Sequence, residues 1–264
     1  MYYETYKKIQ FSQDERILTV TLNAPETLNA VDDVMHEELS RLFYDVDADR
    51  SVDVVILTGA GRAFSCGGDI KAMRRWHEDR NEFEAVAREA KKVVFGMLDC
   101  EKPIICKLNG DAYGLGATLA LFSDVIFMNS KARIADPHVR VGMAAGDGGA
   151  VIWPQLIGYA RAKEFLMTGD ALTAMKAEQL GLVNHVVDPE KLDEAVEQFA
   201  TRLGSGAIKA IKWTKVAINI PLKQIAHSIM DTCMAYETLS SQTQDHLEAI
   251  NAFSEKRKPR FKGN

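Results

Sequence analysis

Residues 112–149 read AYGLGATLALFSDVIFMNSKARIADPHVRVGMAAGDGG, and this stretch decides the fold. It follows a short apolar run, Ile104 to Leu108, whose length and bounding residues predict a buried strand. Asn109-Gly110-Asp111 then turns the chain into Gly114-Leu115-Gly116, after which Ala117 to Phe122 favours helix. A strand, a glycine-rich turn and a helix start in that order leave unpaired backbone N–H groups converging on one spot, with the positive end of the helix dipole behind them. Such a spot suits an anion.

The same order occurs earlier in the chain. Val54 to Leu57 predicts a strand, Thr58 to Ala63 a turn, and Phe64 to Asp69 (FSCGGD) leads into a helix that starts near Ile70. Two turns of this kind, each offering one N–H, can hold a single oxyanion between them.

A chain of 264 residues has room for one large α/β domain with a helical addition, and the text changes character near Pro189, so a core over 1–190 and a helical region over 191–264 are expected. With 47% apolar and 26% charged residues the composition is that of a globular protein. The net charge of −5 argues against a nucleic-acid partner, which requires a clustered positive excess. No apolar run reaches membrane-spanning length, and the start MYYETYKK lacks the apolar core of a signal peptide, so a cytoplasmic protein without a membrane partner is expected. Cys66, Cys100, Cys106 and Cys233 show no metal-binding spacing and read as free thiols. No metal site is expected.

Around this frame, Ile9 to Phe11 and Ile17 to Leu22 alternate as a hairpin turning at Ser12 to Glu15, and Val31 to Val46 has helical spacing. Lys71 to Asp79 and Asn81 to Leu98 are helical, the first with Lys71, Arg74 and Arg75 close together and suited to phosphate groups. Thr173 caps a helix over Ala174 to Leu180, and Val183 to Val187 is a short strand. Helices are expected over Lys191 to Leu203, Ala207 to Ile218, Leu222 to Ser240 and Thr243 to Lys256. Ile208, Ile211, Val216, Ile218, Ile229, Met230 and Met234 give those helices more apolar surface than one core should leave exposed, which suggests association with further copies of the chain.

FSCGGDIKAM (64–73) and NGDAYGLGATLA (109–120), with NAPETLNA (23–30), ARAKEFLMTG (160–169), Gly181-Leu182-Val183 and AFSEKR (252–257), resemble the crotonase, or enoyl-CoA hydratase/isomerase, superfamily nearly end to end. The resemblance implies an α/β fold with a repeated ββα superhelical core and a C-terminal helical region for trimerisation. It implies an acyl-CoA substrate, coenzyme A being part of that substrate and no separate cofactor being needed, and a homotrimer or hexamer. By match of positions, the N–H groups of Gly68 and Leu115 would form the oxyanion hole. Ala30, Ser65, Cys66, Asp69, Ile70, Lys71, Gly114, Phe253 and Lys256 would lie along the coenzyme A and substrate site. A few members of the superfamily bind RNA, an alternative that the acidic balance disfavours.

The chain departs from the family at the decisive place. Hydratases of this kind carry two glutamates, and the matching positions here hold Thr118 and His138. A threonine does not titrate near neutral pH, whereas a histidine, with an unperturbed pKa of about 6.5, serves as base or acid. Asp147, across the Ala145 to Gly149 turn, is the expected partner that orients His138, and Asp136, two residues away, is the other candidate. The segment from His138 to Pro154 is similar to the 6-oxocamphor hydrolase-type branch, in which a histidine and an aspartate at these places act on water to cleave cyclic β-diketones. Two activities therefore stand side by side: enoyl-CoA hydration or isomerisation, and carbon–carbon bond hydrolysis.

Overall fold

The computed structural model describes residues 3–264. A hairpin, β1 (Ile9–Asp14) and β2 (Ile17–Leu22), opens a six-stranded sheet that continues through β3 (Val54–Gly59), β5 (Ile104–Leu108), β7 (Val125–Asn129) and β10 (His185–Val187). Every pairing after the hairpin is parallel. A second sheet of short strands, β4 (Ala63–Ser65), β6 (Asp111–Tyr113), β8 (Arg133–Ala135) and β9 (Leu172–Thr173), runs beside it. β3 and β4, then β5 and β6, then β7 and β8 each put one strand in the large sheet and the next in the small one. This is a ββα superhelix, and the glycine turns lie where the strands of the small sheet hand over to helices.

The burial pattern explains why the long strands were legible. All six residues of β3 are buried, as a parallel strand covered on both faces requires. The strands of the small sheet have two or three residues each, too few for any periodicity, and none of them had a counterpart in the reading of the sequence; β7, five residues in the large sheet, had none either. The first hairpin turns at Glu15-Arg16 and not over residues 12–15, because Glu15 takes a left-handed conformation with φ 48° that closes the loop in two residues.

α1 (Asp33–Ala48) starts at Asp32, whose side chain accepts the Met35 N–H at 2.9 Å. α2 (Ile70–Glu78) and α3 (Arg80–Asp99) follow the first glycine turn, and the wholly buried α4 (Leu115–Leu121) follows the second. α5 (Gly149–Ile157), α6 (Tyr159–Thr168) and α7 (Ala174–Leu180) lead to α8 (Leu192–Gly204), α9 (Ile208–Ser241) and α10 (Gln244–Ser254).

The expected break between Ile218 and Leu222 is absent: α9 runs unbroken for 34 residues through Pro221. A proline inside a helix costs about 3 kcal/mol. Here Ala226, Met230 and Met234, farther along the same helix, join the main hydrophobic cluster and offset that cost. Met230 and Met234 are therefore core residues of this chain and not surface awaiting a neighbour. Of the residues expected there Ile218 is exposed, and Trp213, Ile220, Tyr236 and Leu239 of α9 are exposed with it.

Candidate active site

Asn29 organises the first glycine turn. Its amide nitrogen donates to the carbonyls of Ala60 and Ala63 at 2.9 Å and of Phe64 at 3.1 Å, while its oxygen accepts the Ala24 N–H at 2.9 Å. Ser65 locks the next step, donating to Asn29 O at 2.7 Å and accepting from the Gly67 N–H at 3.2 Å. The chain can then pass so close to the second turn that a Cβ on Gly67, at φ +84°, would stand 2.7 Å from Tyr113 O. Gly68 and Leu115 consequently face one cavity. Neither N–H has a hydrogen-bond partner among the described residues.

His138 lies across the same cavity, on a short helical turn (His138–Val141) that follows β8. Its Nδ1 is bound by Asp136 Oδ1. Asp147 Oδ2 stands 3.6 Å and Glu237 Oε1 3.8 Å from Nε2. Thr118, on α4, donates its hydroxyl to Asp147 Oδ1 at 3.1 Å. Asp136 is thus the residue that orients the ring, and Asp147 faces the opposite nitrogen from beyond hydrogen-bond distance. The expectation had cast Asp147 as the orienter with Asp136 as the other candidate; the chain turns at Pro137 (φ −91°, ψ 21°), and that turn brings the Asp136 carboxyl directly to Nδ1.

Three carboxyl groups and one imidazole share a buried spot, and their protons redistribute accordingly. Burial alone would push the His138 pKa down, but the charges of Asp136 and Asp147 outweigh it and hold the ring's pKa well above 6.5. Burial raises Asp147, against the pull of His138. Burial also pushes Glu237 up to about 8, aided by Asp147 and Asp136 and opposed by His138. Burial thus favours the protonated form of Glu237, the form that can donate.

The glycines of AGDGG are spaces for these groups. A Cβ on Gly149 would overlap Asp136 Oδ2, and one on Gly146 would stand 2.6 Å from Glu237 Oε2. Those two oxygens have no hydrogen-bond partner among the described residues, so they pack against bare glycine backbone.

The remaining cavity wall is apolar, supplied by Val31, Met73, Trp76, Phe83, Val86, Ala90, Leu115, Met143 and Met234. The free space is about 40 Å³, room for a water or two. Met73 and Trp76 of α2 and Phe83, Val86 and Ala90 of α3 line this space. α2 is tied down by Arg75 to Asp33, by Trp76 Nε1 to Asp33 at 3.3 Å and by Arg74 to Asn251 at 2.8 Å. Two of the three cations expected to meet phosphates are thereby engaged within the chain, Arg75 in ion pairs and Arg74 with a neutral amide, and the Lys71 ammonium has no hydrogen-bond or ion-pair partner among the described residues.

Of the other expected site residues, Asp69 caps α2 by accepting from Lys71 and Ala72, and Ile70 is the helix's first residue. Ala30 is buried beside the first turn, and Gly114 begins the second. Cys66 is half-buried, with its thiol donating to Thr27 O at 3.4 Å, and burial raises its pKa. Phe253 and Lys256 are exposed at the end of α10 and do not line the cavity.

Two cavity residues escaped the sequence reading, Glu237 and His36. Glu237 shares the buried face of α9 with Met230, Met234 and Ser241, and an acid on an apolar stripe was the available signal. His36 sits in α1 beside the buried Met35 and Leu39.

Fold and site together are those of the crotonase superfamily: two crossing glycine turns with free N–H groups, faced by acid–base residues. The chain belongs to the enoyl-CoA hydratase/isomerase family, which it matches over residues 12–264. It is 33% identical to the crotonyl-CoA hydratase of Syntrophomonas wolfei, over 97% of this chain and 98% of that one. A solved enoyl-CoA hydratase/isomerase from Mycobacterium paratuberculosis superposes with a TM-score of 0.91 at 34% identity, covering 94% of this chain and 99% of the other. A β-diketone hydrolase from the cyanobacterium Anabaena, solved with (S)-3-oxocyclohexyl acetic acid bound, superposes with a TM-score of 0.85 at 30% identity, covering 91% and 96%. No helix among the described residues is long and apolar enough to cross a membrane.

Proposed function

We propose that this enzyme adds water to an acyl-CoA, with the thioester oxygen between the N–H groups of Gly68 and Leu115 and His138 as the base. The carrying observation is the clamp on His138: Asp136 takes Nδ1, so Nε2 is presented to the cavity between Asp147 and Glu237. With an enoyl thioester, Nε2 takes a proton from water as the water oxygen bonds to the β-carbon. The electron pair of the double bond moves into the thioester, and its oxygen becomes the enolate oxyanion. Each N–H donor lowers the barrier by about 3 kcal/mol. The Glu237 carboxyl then delivers its proton to the α-carbon, and the proton on His138 returns to Glu237 across 3.8 Å. Asp147, held by Thr118, accepts from the water's second O–H and keeps it in place.

A second reading uses the same groups for carbon–carbon hydrolysis. The activated water attacks a ketone carbon, the bond to the neighbouring carbon breaks, and the departing enolate is held by Gly68 and Leu115 and protonated by Glu237. It is favoured by the absence of a titrating group at Thr118 and by the similarity to the Anabaena hydrolase. Incubation with crotonyl-CoA and, separately, with a cyclic 1,3-diketone decides the matter, since each loses its own ultraviolet absorbance. Loss of the enoyl band supports hydration; turnover of the free diketone alone replaces it with hydrolysis. The exposed apolar face of α9 supports assembly into a trimer or a pair of trimers, which light scattering reads directly.

A further inference from the structure

His36 takes no part in the chemistry just described, yet it faces the same cavity as Gly68, Leu115 and His138. It is only 4% exposed. Its Nδ1 lies 2.7 Å from Glu89 Oε2 on α3. An ionised carboxylate only accepts, so Glu89 takes the Nδ1 proton and fixes the plane of the ring. Nε2 is left without a hydrogen-bond partner among the described residues. Apart from His138, Asp147 and Glu237, the side chains lining that cavity are hydrocarbon and aromatic, among them Val31, Met73, Trp76, Phe83, Val86 and Ala90. An unpaired ring nitrogen among such groups is unfavourable, and a plain hydrocarbon chain packed against it would leave it unpaired. A ligand with an oxygen at that place would satisfy it.

We propose that His36, held by Glu89, is a specificity-determining contact for an oxygen on the acyl group, additional to the thioester oxygen, and that the substrates are oxygenated acyl thioesters. A hydroxyl is bound when Nε2 accepts, an oxo group when Nε2 carries a proton. The inference rests on the acyl-CoA reading of the cavity.

The test is calorimetry on the full chain with hexanoyl-CoA and with its 3- and 5-hydroxy and 3- and 5-oxo derivatives. At least one oxygenated thioester is expected to bind about tenfold more tightly than hexanoyl-CoA, the scale of one buried hydrogen bond. The hydroxy and oxo arms tell which role Nε2 plays. His36→Leu should abolish the preference while hexanoyl-CoA affinity stays within about threefold, since only the polar contact is lost. Glu89→Gln keeps the ring and loosens its hold, so the preference should shrink without vanishing. Equal binding of all five ligands by the unaltered protein overturns the proposal, as does a preference that survives His36→Leu or a uniform loss of all ligands in both variants. Failure of the unaltered protein to bind any of the thioesters, hexanoyl-CoA included, overturns the acyl-CoA reading itself.

Discussion

Thr118 holds Asp147: its hydroxyl donates to Asp147 Oδ1 at 3.1 Å, and its methyl stands where a Cβ on Gly148 would come within 2.7 Å. The position that the family resemblance matches to the first glutamate thus carries a donor that steadies a carboxyl group delivered from another loop.

Thr118→Val keeps this shape and removes the O–H. kcat should fall about tenfold, with a stability change near 1 kcal/mol, as kinetics and thermal melts would show. Thr118→Glu, which restores the family residue on paper, should not restore hydration of crotonyl-CoA. It places a further carboxyl group against Asp147 with no space beside Gly148, so the melting temperature should drop and activity should not rise.

Asp136→Asn should lower kcat about 10²- to 10⁴-fold, because the amide can present the wrong group to Nδ1 and set the wrong tautomer. Coenzyme A ester affinity should be unchanged by calorimetry, and His138→Ala should behave alike with a larger loss in kcat. Full activity in the His138→Ala enzyme would remove the base from the mechanism.

The pH profile follows from two raised pKa values. The base must be neutral, and Asp136 and Asp147 both favour the charged ring, so kcat/KM should rise through an apparent pKa above 6.5. The acid must keep its proton, so the rate should fall as Glu237 ionises near about 8. Protons are shared across the cluster, and the two limbs belong to it as a whole. Glu237→Gln should abolish the alkaline limb and lower the maximum while leaving the acid limb in place, since Glu237 is already uncharged below its own pKa. An unchanged alkaline limb in that variant would assign it to another group.

Gly149→Ala adds one methyl where Asp136 Oδ2 already lies. The Asp136 carboxyl must shift and the clamp on His138 loosens, so kcat should fall together with about 1–3 kcal/mol of stability by chemical denaturation. Loss of stability with full activity would show that Asp136 can move without consequence.

How much of this was legible follows from sequence distance. Both glycine turns and the helices they start were readable because each is a matter of a few adjacent residues, and Asp147 and Asp136 stood as the two candidate partners of His138. Deciding between Asp136 and Asp147 needed the course of the backbone after β8, which no residue pattern encodes. Glu237 comes about a hundred residues after His138, on a helix whose break at Pro221 was expected and did not occur. β6 and β8 are three residues each, below the length at which alternation exists.

The continuity of α9 has a consequence for how the enzyme matures. Near the helix start Lys215 is paired with Asp124 at 2.7 Å, and toward its far end it carries Glu237, about 33 Å farther along at 1.5 Å per residue. During synthesis the oxyanion turns and His138 emerge first, and the second proton-carrying group arrives only when this rod has docked along α3. A nascent or clipped chain that stops short of residue 237 would own a base without an acid, able to grip an enolate yet unable to quench it.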